Sequence, residues 1–170
     1  MGSGKSTIGP KVAKILEMDF VDLDDEIEAR EGLPIPDIFS KFGEGHFRQV
    51  ERRLLDELSF GRKSVVVALG GGTLTVTANL HLVKERGVLL YLKTVPSEIF
   101  ERVKRRNDRP MLFNNEGKTT NDVDLLERIE SLLGEREANY LQADLVVTTT
   151  GRSSDDNAKE VVARLKGLLP

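Results

Sequence analysis

The first seven residues, Met1 to Thr7, read M-G-S-G-K-S-T, the composition of a loop that wraps phosphate. Backbone N–H groups can surround an oligophosphate only where side chains stay clear, so glycines at Gly2 and Gly4 suit the points of closest approach. Lys5 follows, with an ammonium able to reach β- and γ-phosphates. The Ser6 hydroxyl can bind Mg²⁺, and a helix starting here adds its positive end to the anion site. Gly2, Ser3, Gly4, Lys5, Ser6 and Thr7 thus make most of a P-loop, G-x-x-x-x-G-K-[ST]. Counting back from Gly4 places the pattern's first glycine two positions before Met1. A Gly/Ser-rich linker with a chance lysine would share this composition. Against that, Ile8, Val12, Ile15 and Leu16 recur at helical spacing directly afterwards and predict a helix opening out of the loop, with Pro10 in its first turns.

A phosphate loop needs an acid near its metal, commonly at the end of a buried strand. The run V-V-V-A-L over Val65–Leu69 is such a strand but ends in Gly70, Gly71 and Gly72. Asp22 and Asp24 of D-F-V-D-L-D are the best-placed pair instead, read as two apart on a strand and therefore on one face. One can face the metal or its waters while the other accepts a hydrogen bond from an attacking hydroxyl. Acids at a strand end can also merely start the next helix, a role that suits Asp25 better than Asp22.

These groups need a scaffold, and the pattern supplies an alternating one. Phe20 to Leu23 predicts a short strand, 25–30 a helix, 36–42 a second short helix ending at Gly43, and 44–60 a long amphipathic helix. Strand 65–69 precedes the glycines, helix follows from about Thr75 to Arg86, and Val88 to Lys93 gives another buried strand. Pro96 opens a helix to about Arg106. Asp144 to Thr150 is the last strand, and Ser154 or Asp155 caps a final helix to Leu168. Strands alternating with helices imply a parallel sheet covered on both faces, with ligands at the strands' C-terminal ends. The phosphate loop, the Asp22–Asp24 cluster and the triple glycine should share that rim. The polar, Gly/Pro-interrupted stretch 107–121 is expected to be a lid.

The chain's 170 residues, 39% hydrophobic and 31% charged, suit one domain over 1–170. A net charge of −3 offers no footprint for nucleic acid or an anionic membrane, so small-molecule substrates are expected. No apolar run approaches the roughly 20 residues of a membrane helix. With no cysteine, a cytoplasmic location is expected by default, and nothing demands more than a monomer.

The P-loop, D-L-D, F-R at Phe47–Arg48, G-G-G, R-P at Arg109–Pro110 and R-x-x-x-Y from Arg136 to Tyr140 occur in this order and spacing. In this the chain resembles the shikimate kinases over essentially its whole length. The resemblance implies ATP- and Mg²⁺-dependent phosphorylation of the 3-hydroxyl of shikimate, on a nucleoside-monophosphate-kinase-like fold with strand order 2-3-1-4-5 and a closing lid. By that likeness Asp24 would hold the substrate hydroxyls and act as base, and Asp22 would contact the Mg²⁺ shell. Arg48 and Arg136 would grip the substrate carboxylate, and Gly70–Gly72 would pack against its ring. Arg109 would swing onto the phosphates, and Arg152 lies where the adenine loop runs. Chemistry agrees, since a planar carboxylate is best held by paired guanidinium forks. His46 and His81 attract no role.

Two alternatives compete: another small-molecule kinase on this scaffold, such as a gluconate or nucleotide kinase, and a nucleotide-binding regulatory protein without turnover. D-L-D followed by G-E-G-H-F-R argues against the first, and retention of Asp24, Arg48 and Arg136 together against the second. A P-loop joins a buried strand to a helix, and Met1 falls inside the loop. Strand 1 of the implied order, the middle one, is therefore expected to be missing. Either the strands 65–69 and 88–92 flank a central gap, or they close directly on each other.

Overall fold

A computed structural model describes residues 2–61, 63–105 and 122–168. The expected lid, and Arg109 within it, lie outside the described residues. Helix α1 (Lys5–Leu16) leaves the loop and is followed by strand β1 (Asp19–Asp22) and helix α2 (Leu23–Glu31). Helix α3 (Ile35–Ser59) is two helices joined at a kink, because Gly43 sits at φ 80°, outside the helical region. Strand β2 (Val65–Ala68), a single 3₁₀ turn (Thr73–Thr75) and helix α4 (Thr77–Arg86) come next. Strand β3 (Leu90–Lys93), helix α5 (Pro96–Lys104), helix α6 (Asp122–Tyr140), strand β4 (Leu145–Thr148) and helix α7 (Ser154–Leu165) complete the order.

Several expectations need correction. Asp24 is not on a strand: β1 ends at Asp22, whose carboxylate accepts the Asp24 backbone N–H at 3.2 Å and so caps α2. The strand-end acid that starts the helix is thus Asp22, and Asp24 lies in the first helical turn. The cap of α7 is Ser153, which accepts from the Asp156 N–H at 3.1 Å, one residue earlier than expected. Pro10 lies in the interior of α1, not at its start, so its ring denies the Ser6 carbonyl a helical N–H. Helix α6 is not among the expected elements, although Leu125, Ile129, Leu132 and Leu133 lie at helical spacing and pack with Ile99 and Val103 of α5.

The strands form two parallel pairs. In one, β1 runs beside β2, with Asp19 opposite Val65 and Asp22 opposite Ala68; in the other, β3 runs beside β4. Successive residues of β2 face opposite layers. Val66 packs toward the core built by Ile8 and Val12 of α1 with Val161 and Val162 of α7, and Val67 packs toward Leu23, Ile27 and Leu54 of α2 and α3. Helix α1 lies so close to β1 that a β-carbon on Gly9 would stand 2.4 Å from the Phe20 ring.

Among the described residues β2 and β3 do not pair with each other. Between them lies an apolar cavity of about 570 Å³, lined by Val65–Leu69 on one side, Leu90–Leu92 on the other and Ile8, Val12 and Leu16 of α1. This is the first of the two arrangements expected, a gap in place of direct closure.

Candidate active site

The phosphate loop gets its shape from two glycines. Gly2 (φ 62°) and Gly4 (φ 100°) both occupy left-handed backbone conformations that other residues adopt at a cost. Space is the second constraint: a β-carbon on Gly2 would stand 2.9 Å from the Ile99 side chain. Gly4 then caps α1, accepting the Thr7 and Ile8 N–H groups at 3.0 and 2.8 Å. A pocket of about 220 Å³ is lined by Gly2, Gly4, Lys5, Ser6 and Thr7 of the loop, with Arg102, Val103 and Arg105 of the α5 region opposite. Ser3, between the two glycines, is buried.

Arg102 escaped the sequence reading. Its guanidinium donates to the Gly2 carbonyl at 3.2 Å and pairs with Glu98 at 2.7 Å, and Glu98 also accepts the Gly151 N–H at 2.7 Å. One acid thereby ties the phosphate loop to the turn after β4. Arg152, in that turn, ion-pairs with Glu160 of α7. The only sequence hint for Arg102 is its i,i+4 spacing from Glu98 on one face of α5.

One of the two acids bonds directly to the loop. The Ser6 hydroxyl donates to Asp22 Oδ2 at 2.7 Å, which brings together two hard oxygen donors beside the phosphate pocket. Burial pushes the Asp24 carboxyl above its ordinary range; Asp22 and Glu51 push the same way, and the Lys5 ammonium opposes them. Lys5 and Asp24 are thus electrostatic neighbours. A β-carbon on Gly70 would stand 2.6 Å from Asp24 Oδ1, and one on Gly72 would stand 2.7 Å from Arg48 Nη2. The triple glycine is the wall against which both side chains lie.

Arg48 is held from below. Its Nη1 donates at 2.9 Å to Glu51, which is only 1% exposed, and its Nε and Nη2 reach Glu44 at 3.2 Å. Glu51 takes the Thr73 hydroxyl at 2.7 Å, and the Thr73 carbonyl accepts Asn79 Nδ2 at 3.1 Å. Burial works against the Arg48 charge, but the two glutamates outweigh it and hold the guanidinium above its ordinary value. Glu51 is the second residue that sequence reasoning missed, since it resembles any polar position on an amphipathic helix. Tyr140 donates to the Gly71 carbonyl at 2.6 Å, and the charge of Arg136, one turn earlier on α6, offsets part of the rise that burial gives its pKa. Arg48 thus lies against Gly72, and the helix that carries Arg136 is tied to Gly71 through Tyr140. His46 pairs with Glu31 at 2.6 Å, away from these groups.

Comparison with known proteins agrees with this geometry. The profile of the family described as Shikimate kinase matches residues 1–166. A shikimate kinase of Halorhodospira halophila is 42% identical over 168 residues, covering 98% of this chain and 90% of that one. One of Persephonella marina is 37% identical, covering 98% and 94%. A solved shikimate kinase from Acinetobacter baumannii in complex with shikimate superimposes with a TM-score of 0.88 at 33% identity, covering 99% of this chain and 89% of that one. For the Aquifex aeolicus enzyme the TM-score is 0.80 at 34% identity, with 99% and 93% covered. A gluconokinase from Sinorhizobium meliloti reaches 0.58 at 19% identity and shares the fold alone. With a family match spanning nearly its whole length and relatives this similar, the chain belongs to the shikimate kinase family.

Proposed function

We propose that this chain transfers the γ-phosphoryl group of ATP to the 3-hydroxyl of shikimate. The observation that carries the reading is the meeting of a guanidinium group, a half-buried carboxylate and the Arg136 helix at one glycine wall beside a phosphate loop: Gly72 against Arg48, Gly70 against Asp24, and Gly71 tied to α6 through Tyr140. A carboxylate-bearing polyol fits such a wall. The relative solved with shikimate supports that substrate.

In this proposal Arg48 and Arg136 hold the substrate carboxylate and orient the ring on Gly70–Gly72. Asp24 takes the proton of the 3-hydroxyl as its oxygen forms a bond to the γ-phosphorus, while the bond from that phosphorus to the β,γ-bridging oxygen breaks and ADP leaves. Gly2, Ser3, Gly4, Ser6 and Thr7 cradle the phosphates through their backbone, and Lys5 offsets the charge spreading over the transferred group. Arg102 adds positive charge from the facing helix. Arg109 joins them by resemblance, and Arg152 serves the adenine side on the same ground. Ser6 and Asp22 fit Mg²⁺, which is commonly held by one or two protein oxygens together with substrate phosphates and water. When bound, the ion neutralises charge on the β- and γ-phosphates.

The proposal includes a cytoplasmic monomer, one catalytic unit over 1–170, acting on small molecules and not on nucleic acid or a membrane. Among the described residues no helix is long and apolar enough to cross one. A coupled assay of ADP release against a panel of hydroxy acids tests the substrate. Turnover with shikimate and not gluconate is expected; turnover with gluconate alone, or nucleotide binding without turnover, would overturn the reading.

A further inference from the structure

We infer that Tyr140 is a positioning residue that sets the Arg136 guanidinium against the Gly70–Gly72 wall through its hydroxyl. The inference rests on the substrate reading above and assigns a role to a residue that touches no reacting atom.

Three contacts fix the phenol. Its hydroxyl donates to the Gly71 carbonyl at 2.6 Å, and Arg136, one turn earlier on α6, is close enough that its charge acts on the phenol. The ring lies 5.2 Å from the Tyr91 ring, tilted by 37°, and its edge joins the apolar cluster of Leu74, Leu80 and Leu89. A phenolic oxygen has one proton to give, here to Gly71, and lone pairs that can face a donor such as the Arg136 guanidinium. Arg136 and Tyr140 are four residues apart on α6 and share a face. The wall, by contrast, sits on the turn after β2. The Tyr140 hydroxyl ties α6 to that turn. One hydroxyl therefore defines how far the Arg136 fork stands from the surface on which the ring would lie. Tolerance there is small, because a misplaced fork loses its paired geometry toward a planar carboxylate.

Burial raises the Tyr140 pKa while Arg136 works against it, so the hydroxyl keeps its proton at neutral pH and remains a donor to Gly71. Phenylalanine would preserve the ring's packing on Tyr91 and remove only the link.

The test is steady-state kinetics of Tyr140→Phe, Arg136→Lys and the double variant beside the unmodified chain. In Tyr140→Phe the KM for shikimate should rise about fivefold to twentyfold, with kcat and the KM for ATP within twofold. In the Arg136→Lys background the same change should add less than twofold, because the fork it positions is already gone. An unchanged shikimate KM, an equal fall in kcat, or a fully multiplicative double variant would each overturn the role. The two readings fail separately. Absence of shikimate turnover in the unmodified chain would overturn the substrate assignment and this role with it. Normal turnover with an indifferent Tyr140→Phe would overturn the role alone.

Discussion

Replacing Arg48 by lysine keeps the charge and removes the fork, so the variant separates electrostatics from geometry. Hydrogen bonds to charged groups are worth roughly 1.5–3 kcal/mol, so Arg48→Lys and Arg136→Lys should each raise the shikimate KM about tenfold to a hundredfold. The KM for ATP should stay near normal; steady-state titration of each substrate at saturating levels of the other checks both. For Asp24→Asn the expected loss is in kcat, about a hundredfold or more, since an amide cannot accept the hydroxyl proton. Single-turnover rates read that loss directly, and nucleotide affinity should persist. At this scale the sequence pointed to groups that the fold brings together: the strict spacing of a phosphate loop singles out Lys5 and Ser6, and Asp22 accepts the Ser6 hydroxyl. No such spacing singles out Glu51. Its burial comes from the Thr73 turn folding over α3, 22 residues away, and no local pattern reports a contact made at that distance.

Between residues and the whole stand the elements that aim them, and the turn after β2 is the most exacting. A β-carbon on Gly72 would press on Arg48 Nη2 at 2.7 Å, and one on Gly70 on Asp24 Oδ1 at 2.6 Å. Gly72→Ala should therefore raise the shikimate KM about tenfold with little change in kcat, whereas Gly70→Ala should lower kcat, each by displacing the end of a side chain. Kinetics of the two variants, with thermal melts as a check on folding, distinguish this division of labour from a general loss of the turn. Strand and helix types were legible from periodicity, as β2 shows: V-V-V-A-L reads as buried on both faces, and Val66 and Val67 do face separate cores. Boundaries were less so, because a cap is a side-chain choice. Asp22 ends β1 and caps α2 at once, and only its bond to the Asp24 N–H marks where the strand gives way to the helix. The α6 helix went unassigned beside the irregular stretch 107–121, although its own apolar spacing was regular.

For the molecule as a whole, the two strand pairs and the cavity between them are the dominant feature. Both walls are aliphatic, and Ser3 and Lys5 of the phosphate loop also line the space. An extended apolar segment of about five residues fused ahead of Gly2 should enter it. Burying about four aliphatic side chains at roughly 1.5–3 kcal/mol each gives about 6–12 kcal/mol as an upper range. At about 2–4 °C per kcal/mol for a chain of this size, the melting temperature should rise by about 10 °C. A polar segment of equal length should leave it unchanged; calorimetry on the two fusions compares them, and equal melting would contradict the expectation. Which strands pair is a constraint of topology and not of local propensity: β2 takes β1 as its partner and β3 takes β4.

The central claim is that the Arg48–Asp24–glycine wall presents one hydroxyl of shikimate to the γ-phosphate. The most direct measurement is phosphorus and proton NMR of the product made by the chain from shikimate and ATP. One equivalent of ADP per phosphate transferred, with phosphorus coupled to the proton on C3, is the result predicted. Phosphate on another hydroxyl, or ADP and inorganic phosphate without a phosphorylated acid, would contradict it.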